Sequence, residues 1–398
     1  MKRIFLSFFV LLCCSFIQGY SSDGQRNNIT RESQKGLPVV DLTKDYPEKD
    51  FSEYVEDKDF VPLETSDQVL ADGFFNVKYL SDQRIVGVNG MRGDVFIFGG
   101  DGKIISHFNR KGQSNSEYLG IMYPVFDEKN KEIFIADLPK NRCITYSEEG
   151  KFLWYFDLPK GFNTGALLDF DDQTLLAYSS YDFEGQDIDE INRKMPYLLL
   201  SKKDGSIVSR LNLSFFERKT TKIKVGDRFI HVESQLRGSS IVKIGQEIIF
   251  SDISTDTVFL LTQDKKLTPL LVRKPSYIQG DKIVVMKILF KTESYLFFST
   301  ITENVNEMIK MGSPGGSSRT IPSMRRIALD LQTGQLFNVK NGPNGNCVDV
   351  HGKADVSCTD APHLLTLLKY GKLDGKLKEI AEKIDADDNP VVTITKYR

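Results

Sequence analysis

Short apolar runs separated by polar, glycine-bearing turns recur along most of this chain. The clearest copy reads Val95-Phe-Ile-Phe98, Gly99-Gly-Asp-Gly-Lys103, Ile104-Ile-Ser-His-Phe108. The same plan returns as Cys143-Ile-Thr-Tyr146, Ser147-Glu-Glu-Gly-Lys151, Phe152-Leu-Trp-Tyr-Phe156, and again around Lys202–Ser206, Gln263–Lys266 and Leu331–Gln335. Short runs of this kind, bounded by Gly and Asp where a turn needs φ > 0, predict β-hairpins. The unit is written five times, so the fold is an array.

A second apolar pair precedes each hairpin. Phe75–Leu80 turns at Ser81–Gln83 into Arg84–Val88, Tyr123–Phe126 at Glu128–Lys131 into Ile133–Ala136, and Leu167–Phe170 at Asp171–Gln173 into Leu175–Tyr178. Ser240–Ile244 and Ile248–Phe250, then Val284–Phe290 and Tyr295–Phe298, continue the series. Two hairpins per unit give four antiparallel strands. The turn tips at Gly102, Gly150, Gly205, Lys265 and Gly334 are 48, 55, 60 and 69 residues apart, the size of a propeller blade with loops that lengthen toward the C-terminus. Radial packing of such sheets hides edges that a stack of separate sheets would expose. The fold class expected is therefore all-β, a six-bladed propeller over residues 59–398. Five blades are explicit between 74 and 340, and the strand-like Phe60–Thr65 and Pro390–Tyr397 are expected to close the sixth. Leu373, Leu377, Ile380, Ala381 and Ile384 follow helical spacing and predict one amphipathic helix packed on the ring.

Composition narrows the setting. A net charge of −2, from 52 basic and 54 acidic side chains, argues against a surface that tracks phosphates, so no nucleic-acid partner is expected. Lys2 and Arg3 followed by the apolar stretch Ile4–Cys14 read as an export signal over residues 1–19. No later stretch approaches the roughly 20 apolar residues of a membrane-spanning helix. Leu11-Leu-Cys-Cys14 resembles a bacterial lipobox with Cys14 as the acylated residue; ordinary cleavage near Gly19 or Ser21 is the alternative. Residues 20–58 then read as a polar tether and lead-in. Of the cysteines outside the signal, Cys347 and Cys358 could close a small loop by a disulfide, leaving Cys143 as a buried strand residue.

Two stretches carry a family likeness. Ile133-Phe-Ile-Ala-Asp-Leu-Pro-Lys-Asn-Arg-Cys-Ile-Thr-Tyr-Ser-Glu-Glu-Gly-Lys-Phe152 resembles an NHL repeat. Phe108–Tyr118 resembles the inter-blade segment that ends in Gly-Glu-Tyr in such proteins, with Ser116 in place of that Gly. Val61–Ser66 and Asp387–Val392 resemble the secreted six-bladed propellers of Bacteroidota. The likeness spans the mature chain and implies the fold, a lipoprotein habit, and a role in binding a ligand or partner in glycan- or nutrient-related envelope biology. It implies no reaction.

Candidate chemistry is sparse. Propeller sites lie on the face built by loops from second to third strands and by connections between blades. There the sequence offers Asn89, Arg92, Glu117, Tyr118, Asp137, Arg142, Tyr181 and Asp252, with Asp349 and His351 in the acidic stretch Cys347–His363. Asp137 with Arg142 has a structural use as well, fixing a loop and bridging to the next blade. Cys347, His351, Cys358 and His363 supply zinc-ligand types at spacings that match no familiar finger, and a disulfide is the more economical account. Nucleophile elbow, phosphate loop and HExxH helix are absent. The expectation is an exported, monomeric, non-enzymatic binding module without cofactor, engaging an envelope protein or a carbohydrate or peptide ligand. The alternative is a metal-assisted lyase or hydrolase with a divalent ion near the axis, held by residues such as Asp137, Asp252, Asp349 or His351.

Overall fold

The computed structural model describes residues 36–67, 69–71, 76–80, 82–181, 187–219, 222–225, 228–231, 241–279, 282–304, 323–342 and 354–398. The apolar runs form the sheets expected of them. Blade 1 comprises Asn76–Tyr79, Ile85–Asn89, Asp94–Phe98 and Ile104–Asn109 from the axis outward. Blade 2 comprises Met122–Asp127, Glu132–Asp137, Arg142–Ser147 and Phe152–Asp157. Blade 3 is built from Thr164–Asp169, Thr174–Ser179, Tyr197–Ser201 and Ile207–Arg210. Blade 4 is Ile241–Ile244, Glu247–Phe250, Thr257–Leu261 and Leu267–Lys274, and blade 5 is Lys282–Lys291, Tyr295–Asn304, Ser323–Asp330 and Leu336–Lys340. In blade 6 the C-terminal strand Val391–Tyr397 is flanked by Ala354–Thr359 and by the N-terminal strand Val55–Pro62, so the two chain ends close the ring as expected.

The middle strands are buried on both sides, as in Ile85–Asn89 and Asp94–Phe98, because each sheet is covered by a blade on either face. That is why they read as continuous apolar runs and not as alternating ones. Among the described residues the core of the ring accordingly falls into a cluster at each junction between neighbours, with a further one under the C-terminal helices. Val88, Ile97, Ile133 and Ile144 pack between blades 1 and 2, and Val77, Phe96, Val356 and Ile394 pack between blades 6 and 1. Blades 3 and 4 meet through Leu176, Tyr197, Ile248 and Phe250, and the remaining junctions are built alike.

All five turn tips singled out from sequence adopt positive φ: Gly102 at 81°, Gly150 at 77°, Gly205 at 72°, Lys265 at 63° and Gly334 at 71°. Strand twist brings the ends of the outer strands of blades 1 and 2 against the third turns of blades 2 and 3. A Cβ on Gly150 would lie 2.3 Å from the Phe108 ring, and one on Gly205 2.2 Å from that of Phe156, whereas Gly334 faces open space. Gly334→Ala is expected to cost about 1 kcal/mol, the price of a left-handed alanine alone. Gly150→Ala should lose a further 1–3 kcal/mol, roughly, through overpacking, as read by urea unfolding. Equal losses for the two would contradict this account of the inter-blade contact.

Two features depart from the sequence reading. From residue 36 onward the lead-in is structured. Val39–Asp41 adds a strand parallel to the rim of blade 4 (Val40 opposite Arg273), and Glu48–Asp50 does the same on blade 5 (Lys49 opposite Val339). The segment therefore runs along the outside of blades 4 and 5 before entering blade 6. Near the C-terminus there are two helices, Ala361–Lys369 and Gly375–Ala381, in place of the single one expected. Gly371, at positive φ, lies between them, and Gly375, also at positive φ, opens the second. Leu364, Leu377, Ile380 and Ala381 of this pair pack with Phe60 and Val391 on blade 6.

Candidate functional site

In an antiparallel blade the loops after the first and third strands share one end of the sheet, and the loop after the second strand joins the inter-blade connection at the other. The ring thus has a turn face and a loop face. Six of the residues selected from sequence meet on the loop face of blades 1 and 2. Asp137 and Arg142 stand opposite each other in the hairpin register, around the turn Leu138–Lys140. Arg142 Nε donates to Asp137 Oδ2 at 3.2 Å, and both side chains are buried. The guanidinium also donates to the carbonyls of Ser114 (3.2 Å), Asn115 (3.0 Å) and Glu117 (2.7 Å), and lies over the Tyr155 ring. Tyr146 completes the set by donating to Ser116 O at 2.7 Å. Asp137 Oδ1 accepts from Leu119 N. One buried arginine therefore gathers the carbonyls of the connection between blades 1 and 2.

The other members of this group support the same connection. Tyr118 is fully buried; its hydroxyl donates to Gly93 O at 2.6 Å and accepts from Arg110 N at 2.9 Å. Burial pushes its phenol up to about 12, so the hydroxyl keeps its proton. The Glu117 carboxylate accepts from Ser114 N at 2.9 Å, which holds it below the usual range. Asn89 Oδ1 accepts from Arg92 N, and Arg92 pairs with the buried Asp94 at 3.1 Å. His107 and Asn109 reach the second oxygen of Asp94, and the His107 ring stacks on Phe96.

Tyr181 and Asp252 lie in a separate sector, between blades 3 and 4. Asp252 Oδ2 accepts from the hydroxyls of Tyr178 and Tyr197, each at 3.2 Å, and Oδ1 from Ser254 N at 2.8 Å. Buried Arg218 donates to the Tyr178 hydroxyl at 2.9 Å and to the backbone carbonyls of Ser179 and Arg193. Burial, and then the charge of Asp252, push the Tyr197 phenol well above the ordinary tyrosine range, which keeps it a donor. Arg193 and Arg218 both lie over the Tyr181 ring, at 5.6 and 5.9 Å. Sequence reasoning missed Arg218, Tyr178 and Tyr197. The tyrosines sit in ordinary strand positions, and Arg218 lies in a connection with no repeat to mark it.

Asp349, His351, Cys347 and Cys14 lie outside the described residues, so the pairing of Cys347 with Cys358 has one partner outside them too. Cys143 is buried in its strand as expected, and desolvation raises its thiol far above the usual value. Among the described residues no group of three or more His, Cys, Asp and Glu could hold a metal ion.

The two faces differ in apolar exposure. Leu70, Met91, Leu119, Met122, Ile191, Phe216 and Met324 are exposed, and all lie in inter-blade connections, in loops from second to third strands, or at the loop end of a strand. The other exposed large apolar residues are on outer strands, the rim strand or a helix end: Ile105, Tyr155, Ile207, Val208, Val39 and Tyr370. Of these, Ile105 and Ile207 stand at the turn end of their strands, while the turns themselves are polar among the described residues, with the Lys129–Asp172 ion pair at the surface.

A family profile described as a domain of unknown function (DUF4934) matches residues 37–396, the whole ring with its rim strands. The chain belongs to the DUF4934 family. Among solved structures it is similar to a protein from Bacteroides fragilis NCTC 9343 described as exported, at a TM-score of 0.65 and 15% identity, over 91% of this chain and 99% of that one. At such identity the likeness is one of fold, and that fold is the six-bladed propeller. A member of the DUF4221 family from Bacteroides vulgatus ATCC 8482 aligns at a TM-score of 0.49 and 9% identity, over 86% of this chain and 97% of that one. Virginiamycin B lyase from Staphylococcus aureus aligns at 0.36 and 8%, over 85% and 99%. No curated protein matches the sequence. Among the described residues of this DUF4934 chain, no helix is long and apolar enough to cross a membrane.

Proposed function

We propose that the protein is an exported binding module of the cell envelope, offering its loop face to a ligand or a protein partner and carrying out no turnover. The observation behind this reading is the exposure of large apolar side chains in the loops and connections of the loop face, whereas the turns of the opposite face carry none among the described residues. A face that binds nothing gains nothing from keeping Met91 and Phe216 in water, 69% and 78% exposed, on loops that buried side chains hold in place. The likeness to an exported Bacteroides propeller supports the compartment.

The metal-assisted lyase or hydrolase finds less support. Two of the four carboxylate or imidazole groups it would recruit, Asp137 and Asp252, have both oxygens engaged, by Leu119 N and Arg142 and by Ser254 N, Tyr178 and Tyr197. Neither is presented to a cation without dismantling its sector. The test is the thermal stability of the chain from residue 20, with envelope glycans, peptidoglycan fragments and peptides, in the presence and absence of chelator. A bound ligand should raise stability by roughly 2.7 kcal/mol at a hundredfold excess over its dissociation constant, unaffected by chelator. A shift that chelator abolishes would favour the metal-dependent reading.

A further inference from the structure

The loop face of blades 1 and 2 combines three features that together specify a partner. Met91, Leu119 and Met122 are 69%, 37% and 45% exposed and lie on two backbone segments joined by the bond from Ile121 N to Gly90 O. Gly90 permits that approach, since a Cβ there would lie 2.8 Å from Ile121 O. The three residues thus present apolar surface from two adjoining segments.

Charge forms its border. Segments 89–94, 109–122 and 137–142 hold five cations and three carboxylates. Two of those carboxylates, on Asp94 and Asp137, are buried against Arg92 and Arg142. Arg110 Nε donates to Gly150 O at 2.9 Å, so what remains at the surface is Lys111, Lys140 and the half-exposed Arg92, itself paired with Asp94, against Glu117. The amines are also aimed: Lys111 Nζ donates to Met91 O at 2.7 Å, and Lys140 Nζ to Gln113 O at 2.9 Å and Ser114 O at 3.2 Å. Beneath the patch, Arg142 and Tyr118 hold the loop from below, so little ordering remains to be done on binding.

We propose that this sector is the docking surface for an extended protein segment in which acidic residues alternate with apolar ones. The inference rests on the loop face being the binding face and names the chemistry of the partner. Apolar side chains of the segment pack on Leu119 and on Met91 and Met122, whose flexible thioethers adapt to irregular shapes. Its carboxylates meet Arg92, Lys111 and Lys140, which set register and encounter rate. Cations fixed on carbonyls suit individual carboxylates. An anionic bilayer draws instead on deeply inserted apolar groups and aromatic anchors, and the exposed apolar residues here are Met and Leu.

The test uses the chain from residue 20 and three fluorescein-labelled peptides: alternating Glu and Leu, alternating Lys and Leu, and alternating Glu and Ser. Fluorescence anisotropy should show saturable binding of the Glu–Leu peptide alone. Met91→Asp and Lys111→Glu, both at exposed positions, should each weaken it by about tenfold or more, equivalent to one factor of ten in dissociation constant. Lys129→Glu on the turn face should leave binding unchanged. Equal binding of all three peptides would overturn the proposal. So would Glu–Leu binding that neither loop-face variant changes, or capture by phosphatidylglycerol vesicles with no peptide bound. If no peptide binds while a glycan raises the melting temperature, the acidic–apolar partner is wrong and the binding-module reading stands.

Discussion

Arg142→Met is expected to cost about 3–5 kcal/mol, because it removes one partner of a buried ion pair and leaves Asp137 charged and uncompensated. The Asp137 carboxylate would retain one backbone donor, Leu119 N. The carbonyls of Ser114, Asn115 and Glu117 would lose their shared donor at the same moment. The loss should therefore be concentrated in the connection between blades 1 and 2. Trypsin should cut after Arg110 or Lys111 in the variant well before it cuts the wild type, since opening of that connection frees the backbone now tied to Tyr118. Urea unfolding measures the total cost, and proteolysis locates it. A variant within 0.5 kcal/mol of wild type, with unchanged cleavage, would show that the connection is held by other contacts.

Phe51→Ala is expected to have a comparable effect, about 3–5 kcal/mol, at the junction of blades 5 and 6. Phe51 opens a single turn, Phe51–Tyr54, that Asp50 and Glu53 cap reciprocally. Its ring is buried edge-on against Phe290 (6.3 Å) and Phe297 (6.0 Å) of blade 5 and against Tyr397 (5.7 Å) of the C-terminal strand. One side chain of the N-terminal segment thus joins the last sequential blade to the blade that closes the ring. Its removal leaves a cavity at the seam and should loosen the rim strands Val39–Asp41 and Glu48–Asp50, whose pairing covers only three residues each. Phe216→Ala, at an exposed position, should stay within about 0.5 kcal/mol in the same thermal and urea measurements. Similar losses for the two would refute the seam.

Most of the ring was legible in the chain because each blade is local. Its strands are successive, its turns are marked by residues such as Gly102 and Gly150 that tolerate positive φ, and its doubly covered middle strands read as apolar runs. What escaped notice is non-local or short. Val39–Asp41 pairs with residues more than two hundred positions away, and three residues cannot display a period. The first C-terminal helix, Ala361–Lys369, precedes the apolar spacing of Leu373 to Ile384, and Gly371 at positive φ breaks the chain between it and the second.

For the candidate site the balance is different. Asp137 and Arg142 stood out through their pattern, and the structure gives them the loop-fixing role that the pattern allows. Polar loop residues draw attention in a sequence, yet Asn89, Tyr118 and Asp137 are buried and support the surface from beneath. Met91, Leu119 and Met122 passed unnoticed because an apolar residue in a sequence suggests a core. Only the placement of Gly90 against Ile121 shows that Met91 and Leu119 lie in connections and Met122 at the exposed end of its strand. Exposure is a property of the assembled ring, not of any segment.

The most direct test of the central claim is a comparison of the two faces by site-specific photocrosslinking in cells that export the protein. A photoreactive residue would be placed in turn at Met91 and Phe216 on the loop face, and at Lys129 and Asp172 on the turn face. The account predicts discrete adducts from the first pair and none from the second. Adducts arising from the turn face, with Met91 and Phe216 silent, would contradict it.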